Sequence, residues 1–332
     1  MLTLGYKASA EQFGPRELLR FAMEAEASGF DSVLVSDHYQ PWRHTNGHAP
    51  NCLVWLGALA QATSHVAIGT SVLTPSFRYN PAIVAQAFAT LGLLAAGRTV
   101  ILGVGTGESL NEVAVGIDWP EQKERFARLK ESLELIHQLW TGEFVTYRGN
   151  FYRTENATVY DKPSVLPKIY VAGSGPAASR LAGRVADGFI CTSGKDPALY
   201  QETLLPAVRE GADKAGRGYD SIEKMIEVKV AFDTNRERAM ADTRIWAALA
   251  LPPEAKMGVE DPREMERLAE TVADVAHRRW IVSTDPDEHV QQIKRYVDLG
   301  FTHLVFHAPG DDQSRFLQTY STEILPRLRA LG

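Results

Sequence analysis

Short apolar runs and longer segments of helical periodicity alternate along the whole chain. The runs span residues 2–8 (LTLGYKA), 31–38 (DSVLVSDH), 66–73, 98–105, 168–174, 188–193, 224–232 and 303–309. Between them, apolar residues return every three to four positions. PRELLRFAMEAEASG stops at Gly29, and EQKERFARLKESLELIHQLW fills 121–140. The segment 285–300 opens with Asp285 as an N-cap and Pro286 in the first turn. Near-continuous apolar strands, most followed by a helix, predict a parallel sheet covered by helices. Eight such repeats are the count of a closed α/β (β/α)₈ TIM barrel. The prediction is therefore one barrel domain over 1–332. It carries insertions after strand 4 (142–163, a small β excursion) and strand 7 (250–280, helices or a lid). A doubly wound open sheet is the alternative.

Composition narrows the function classes. The 332 residues are 45% hydrophobic and 23% charged, with a formal net charge of -6. No dense Lys/Arg tract marks a nucleic-acid face. No apolar stretch reaches the roughly 18–20 residues of a membrane span, and MLTLGYKASAEQFGP lacks the basic and apolar regions of a signal peptide. Cys52 and Cys191 are far apart and have neither zinc-like nor disulfide-framework spacing. The expectation is a reduced, cytoplasmic protein. No His/Asp/Glu set has metal spacing, so no metal is expected.

In a barrel of this kind, chemistry takes place at the C-terminal ends of the strands. That rule gathers Asp37 and His38, the segment Ser71–Thr74, GVGTGESLN (103–111), AGSGPAA (172–178) and CTSGK (191–195) around one mouth. GVGTGES is a weak dinucleotide signal, because Leu110 stands where a small residue is expected and the motif comes late in the chain. It reads better as a glycine turn that lets backbone N–H groups approach a phosphate or ring. GSGPAAS leads into a helix at Pro176, a natural anion site. His38 and Glu108 are a candidate acid–base pair. Trp42 offers an indole N–H to a wet pocket or simply covers the mouth. Lys195, Lys256 and Arg279 would bind a phosphate if they converge; otherwise they are solvated surface charges. Lys195 has a rival reading as a Schiff-base lysine.

GYKASAEQFGPREL, SDHYQPWRHTNGHAP, GTSVLTPSFRYNPAIVAQAFATLG, LGVGTGESLNE, DGFICTSGK, RWIVSTDPDE and HLVFHAPGDDQSRFL together resemble the F420-dependent glucose-6-phosphate dehydrogenase family of the luciferase-like (β/α)₈ superfamily. The likeness runs over essentially the whole chain. It implies coenzyme F420 as cofactor and oxidation of glucose 6-phosphate at C1 to 6-phosphogluconolactone. By the same resemblance, His38 and Glu108 match acid–base positions and Trp42 an active-site indole. Asp37, Ser71, Val72, Thr74, Thr106, Gly107, Asn111, Ser174, Gly175, Ala177 and Ala178 match cofactor positions. Thr192, Lys195, Lys256 and Arg279 match the substrate and phosphate site. The resemblance also implies a cis peptide at Ser71–Val72 and a homodimer. Ser174 departs from the family, which commonly has Gly there. An FMN-dependent monooxygenase, another F420-dependent alcohol dehydrogenase without the phosphate clamp, and a non-catalytic F420 or sugar-phosphate binder are the rival readings.

Overall fold

A computed structural model describes residues 2–331. The predicted apolar runs form β1 (Thr3–Ala8), β2 (Ser32–Val35), β3 (Ala67–Thr70), β4 (Val100–Val104), β5 (Lys168–Ala172), β6 (Gly188–Thr192), β7 (Glu223–Phe232) and, after one further short strand, β9 (His303–His307). Each pairs in parallel with its neighbour, and β7–β9 and β9–β1 ladders close the ring of eight. The additional strand, β8 (Ile281–Ser283), was not predicted; three residues carry no readable period. It lies outside the ring, on the far end of β7. The ten residues of β7 thus serve three neighbours. Glu223–Glu227 pair with β6, Met225–Lys229 with β9, and Val230–Phe232 with β8.

Helices over Pro15–Ala27, Cys52–Ala62, Pro81–Leu94, Gln122–Thr141, Pro176–Val185, Leu205–Lys214 and Pro286–Asp298 cover the ring. Their starts follow local chemistry. Asn51 accepts from the N–H groups of Leu53 and Val54, Asn80 from Ala82, and Asp285 from Glu288. Between the Gln122–Thr141 helix and β5, residues 145–157 make antiparallel contacts, with backbone bonds exchanged by Val145 and Ala157 and by Tyr147 and Thr154. Glu131 pins their turn by accepting from the N–H groups of Asn150, Phe151 and Tyr152. Between β7 and β8 short helices joined by turns fill Arg236 to Arg279, starting earlier than the 250 predicted.

Inside the ring, Leu34, Ile101, Tyr170, Ile190, Met225 and Val305 form one apolar cluster, a side chain from each of six strands. Burial of each aliphatic member contributes about 1.5–3 kcal/mol. Toward the C-terminal ends of β1, β7 and β9 the interior becomes charged, with Lys7, Glu227, Lys229 and His307 all buried. The barrel is thus dry at mid-height and polar toward the C-terminal ends.

Candidate active site

β2 ends at Val35, and the chain then leaves extended pairing. Beyond this break Asp37 and His38 go to different neighbours. His38 Nε2 lies 3.2 Å from Glu11 Oε1 and 3.7 Å from Glu108 Oε2. On the other side of the ring, Nδ1 faces the Gln40 carbonyl oxygen at 3.0 Å. Asn111 fixes this loop. Its Oδ1 accepts from the N–H groups of Tyr39 and Gln40, which turns Nδ2 toward His38 and Glu108.

The two carboxylates differ in environment. Glu11 is buried and also accepts from Ser36 Oγ at 2.5 Å. Burial opposes its ionisation, but the His38 and Lys7 charges and the Ser36 bond outweigh it and hold the carboxyl below its ordinary range. Glu108 lies deep in the concave mouth, where its side chain is still 44% accessible to water. Burial pushes its carboxyl up, against the opposing charge of His38. Two carboxyl groups with pKa values driven apart around one imidazole can divide acid and base work. The Trp42 ring stands 5.9 Å from that of His38, and Lys256 Nζ lies 5.5 Å from the indole centroid.

Asp37 turns into the protein. Its Oδ2 accepts from Arg78 at 2.5 Å and its Oδ1 from Tyr79 Oη at 3.1 Å. Arg78 also pairs with the buried Glu112. Arg78 is a residue that sequence reasoning missed, as is Glu11. Glu11 follows the end of β1 at the same mouth, so the strand-end rule, applied to every strand, would have found it.

The segments from β3, β4 and β5 provide a cradle. Ser71–Val72 is a cis peptide, as the resemblance implied. Thr74 and Asn111 are buried, and Thr106 and Gly107 are partly accessible. Gly107 has φ 84°, and an added Cβ would lie 3.0 Å from Thr74 Cγ2; only glycine suits both the backbone and the approach. At Gly175 a Cβ would meet nothing within 4 Å, so the space beside the turn is open. The helix from Pro176 has no side-chain cap, and the backbone N–H groups of Ala177 and Ala178 remain available beside accessible Ser174. This donor set fits a phosphodiester, and the cradle as a whole fits a phosphate-bearing ring cofactor such as F420.

The predicted cations converge. Gly194, at φ 75°, packs so closely that a Cβ would lie 2.7 Å from the Arg279 carbonyl oxygen. Tyr200 Oη donates to the Thr192 carbonyl oxygen, and Tyr296 Oη accepts from Gly194 N–H, which holds the 192–195 turn. Burial lowers the pKa of both Lys195 and Lys256, and Arg279 lowers each further. Among the described residues, none of the three is paired with a carboxylate within 4.0 Å, unlike the buried cations Lys7 and Arg78. Three mutually repelling cations without counter-ions make an anion site. The helical segment that carries Lys256 is tied to the β2 loop by Glu266, which accepts from Arg43 Nε and Thr45 N–H. Cys52 and Cys191 are free and buried, and burial pushes both thiols up, away from nucleophilic use.

Comparison with known proteins agrees with this geometry. Residues 3–303 match the family model described as luciferase-like monooxygenase. An F420-dependent glucose-6-phosphate dehydrogenase of Nakamurella multipartita is 65% identical over 99% of this chain and 97% of its own length. Another of Microbacterium testaceum is 60% identical, covering 99% and 98%. A solved F420-dependent secondary alcohol dehydrogenase, in complex with an F420–acetone adduct, superposes with a TM-score of 0.93 at 34% identity, covering 99% of both chains.

Proposed function

Since the chain belongs to the luciferase-like monooxygenase family, we propose from that premise that it is a coenzyme F420-dependent glucose-6-phosphate dehydrogenase, an oxidoreductase that oxidises the sugar at C1 to 6-phosphogluconolactone. The observation that carries the reading is the pairing of a proton-handling site with an anion clamp in one mouth. Lys256 serves both, since its charge acts on Glu108 and on Lys195 and Arg279. An alcohol dehydrogenase for small neutral substrates has no use for three unpaired cations.

Bound coenzyme F420 supplies the hydride acceptor. Thr74, Thr106, Gly107, Asn111 and the Ser71–Val72 segment would hold its ring, and the turn Ser174–Ala178 its phosphodiester. Asp37 supports that ring site through Arg78 and Tyr79. Lys195, Lys256, Arg279 and Thr192 hold the sugar phosphate. Contacts so remote from C1 can spend their binding energy on orientation. His38 Nε2 takes the proton of the C1 hydroxyl, and Glu11 stabilises the imidazolium that results. Glu108, whose environment favours its protonated form, holds the second proton of the reaction. Trp42 positions the sugar.

The chain acts as one domain and pairs with a second copy. Support for pairing comes from the helices Cys52–Ala62 and Pro81–Leu94, which leave Val54, Ile83, Leu93 and Leu94 exposed. The two free thiols suit the reducing cytoplasm. No helix among the described residues is long and apolar enough to cross a membrane.

F420 absorbance tests the reading directly. It bleaches with glucose 6-phosphate and far more slowly with glucose. Bleaching at equal rates with both sugars, or none with either, overturns it; FMN retention with oxygen consumption points to a monooxygenase instead.

A further inference from the structure

Two separate stretches of chain make the mouth. The loop after β2 carries His38 and Trp42, and the excursion between β7 and β8 carries Lys256 and Arg279. No strand ladder joins them, since β2 pairs with β1 and β3, and β7 with β6, β8 and β9. Their relative position is therefore left to side chains. Trp42 packs on the apolar cluster of Ala247, Ala248 and Met265, and Lys256 Nζ stands 5.5 Å from the indole centroid. This packing is incomplete. A cleft of about 210 Å³ opens between Trp42 and Arg43 on one side and Ala247, Ala269 and Ala273 on the other.

Glu266 bridges that cleft from the helix Pro262–Glu270, just past Lys256 in the chain. Its Oε1 accepts from Arg43 Nε at 3.1 Å. Its Oε2 accepts from the Thr45 N–H at 3.0 Å and from Thr45 Oγ1 at 3.1 Å. Among the described residues, these are the only hydrogen bonds between the two stretches. Arg43 is 37% exposed, so the ion pair as such adds little to folding stability. Its effect is on geometry.

We propose that Glu266 is a positioning residue: it fixes the span between the phosphate clamp and the proton site, so that binding of the sugar phosphate is converted into turnover at C1. A sugar phosphate bridges the two stretches, with its phosphate on one and C1 at the other. A misplacement of about 1 Å across such a span can cost on the order of 100-fold in rate. Glucose, which leaves the clamp empty, is indifferent to the span.

The proposal rests on the reading of Lys195, Lys256 and Arg279 as a phosphate clamp, and one set of variants separates the two. Steady-state kcat and KM are measured with glucose 6-phosphate and with glucose for Glu266→Ala, Glu266→Gln and Lys195→Ala. Competitive inhibition by inorganic phosphate probes the clamp, and F420 affinity by fluorescence checks the fold. In Glu266→Ala, kcat with glucose 6-phosphate is expected to fall about tenfold or more. KM, phosphate inhibition, F420 affinity and kcat/KM with glucose are expected to stay within about threefold. Glu266→Gln keeps one acceptor oxygen for the link and is expected to fall between Glu266→Ala and the parent. Equal losses with both sugars would make Glu266 a support of the β2 loop alone. A raised KM and weaker phosphate inhibition at unchanged kcat would make it part of the clamp. Either result, or no change, overturns the proposal. Phosphate inhibition unaltered in Lys195→Ala overturns the clamp reading instead. If Glu266→Ala does not fold, Arg43→Met removes one arm of the same link and is judged by the same criterion.

Discussion

His38 Nε2 and Glu11 Oε1 stand 3.2 Å apart, both shielded, at the lip of β2. An imidazole held this way gains a stable charged form only while its neighbour is ionised. On the proposed reading, Glu11 acts on the reaction through His38 without touching substrate.

Glu11→Gln keeps the shape and removes the charge. Turnover is expected to fall roughly 10- to 100-fold, with F420 affinity retained, because Glu11 lies beside the imidazole and outside the phosphodiester turn. Stopped-flow reduction of F420 at saturating sugar phosphate checks this; unchanged turnover removes Glu11 from the mechanism.

Lys195→Ala and Lys256→Ala are each expected to raise the KM for glucose 6-phosphate by roughly tenfold or more, the worth of a charge-assisted bond. The slow reaction with glucose should be nearly unaffected. Steady-state kinetics with both sugars decides; parallel losses would mean that the cations act on the fold or the cofactor rather than the phosphate.

Arg78→Met leaves the buried carboxylates of Asp37 and Glu112 without their shared partner. The expected loss is about 3–5 kcal/mol of stability, readable as a lower chemical-denaturation midpoint. A midpoint like that of the parent would show that the two acids take up protons or find other donors at little cost.

His289 supplies a pH signature far from the mouth. It bonds Ser283 and Tyr320 in the core, and burial pulls its pKa down from 6.5 to about 3. Between those values the unfolded chain binds a proton that the folded one refuses, so stability falls as pH drops through that window. The slope approaches about 1.4 kcal/mol per pH unit. Denaturation midpoints measured between pH 7 and 4 should decline less steeply in His289→Gln; equal slopes would assign the acid sensitivity to other groups.

The barrel was legible because its strands are buried on both sides and read as unbroken apolar runs. His38, Glu108, Trp42 and Lys195 were legible because each follows such a run and thus falls at the mouth. Asp285 and Pro286 announced their helix through local capping chemistry. Arg78 was not singled out, since an arginine beyond a strand looks like ordinary surface charge until tertiary packing buries it; Glu11 follows β1 at the mouth and was open to the same strand-end rule as His38. The convergence of Lys195 with Arg279 also depends on packing: 84 positions of chain separate them, and only the approach at Gly194 reveals that they adjoin.

The length of β7 has a bearing on how this enzyme could acquire new substrates. Its first part closes the ring and its last three residues carry β8, so the segment from Arg236 to Arg279 hangs from an overhang that the ring does not need. That segment brings Lys256 and Arg279, two of the three clamp cations. Exchanging that segment would change the recognised head group and also reach the proton site, because Lys256 stands over Trp42 and acts on Glu108 and Glu266 holds the β2 loop. Substrate choice and redox chemistry are thus coupled through an excursion that one strand carries.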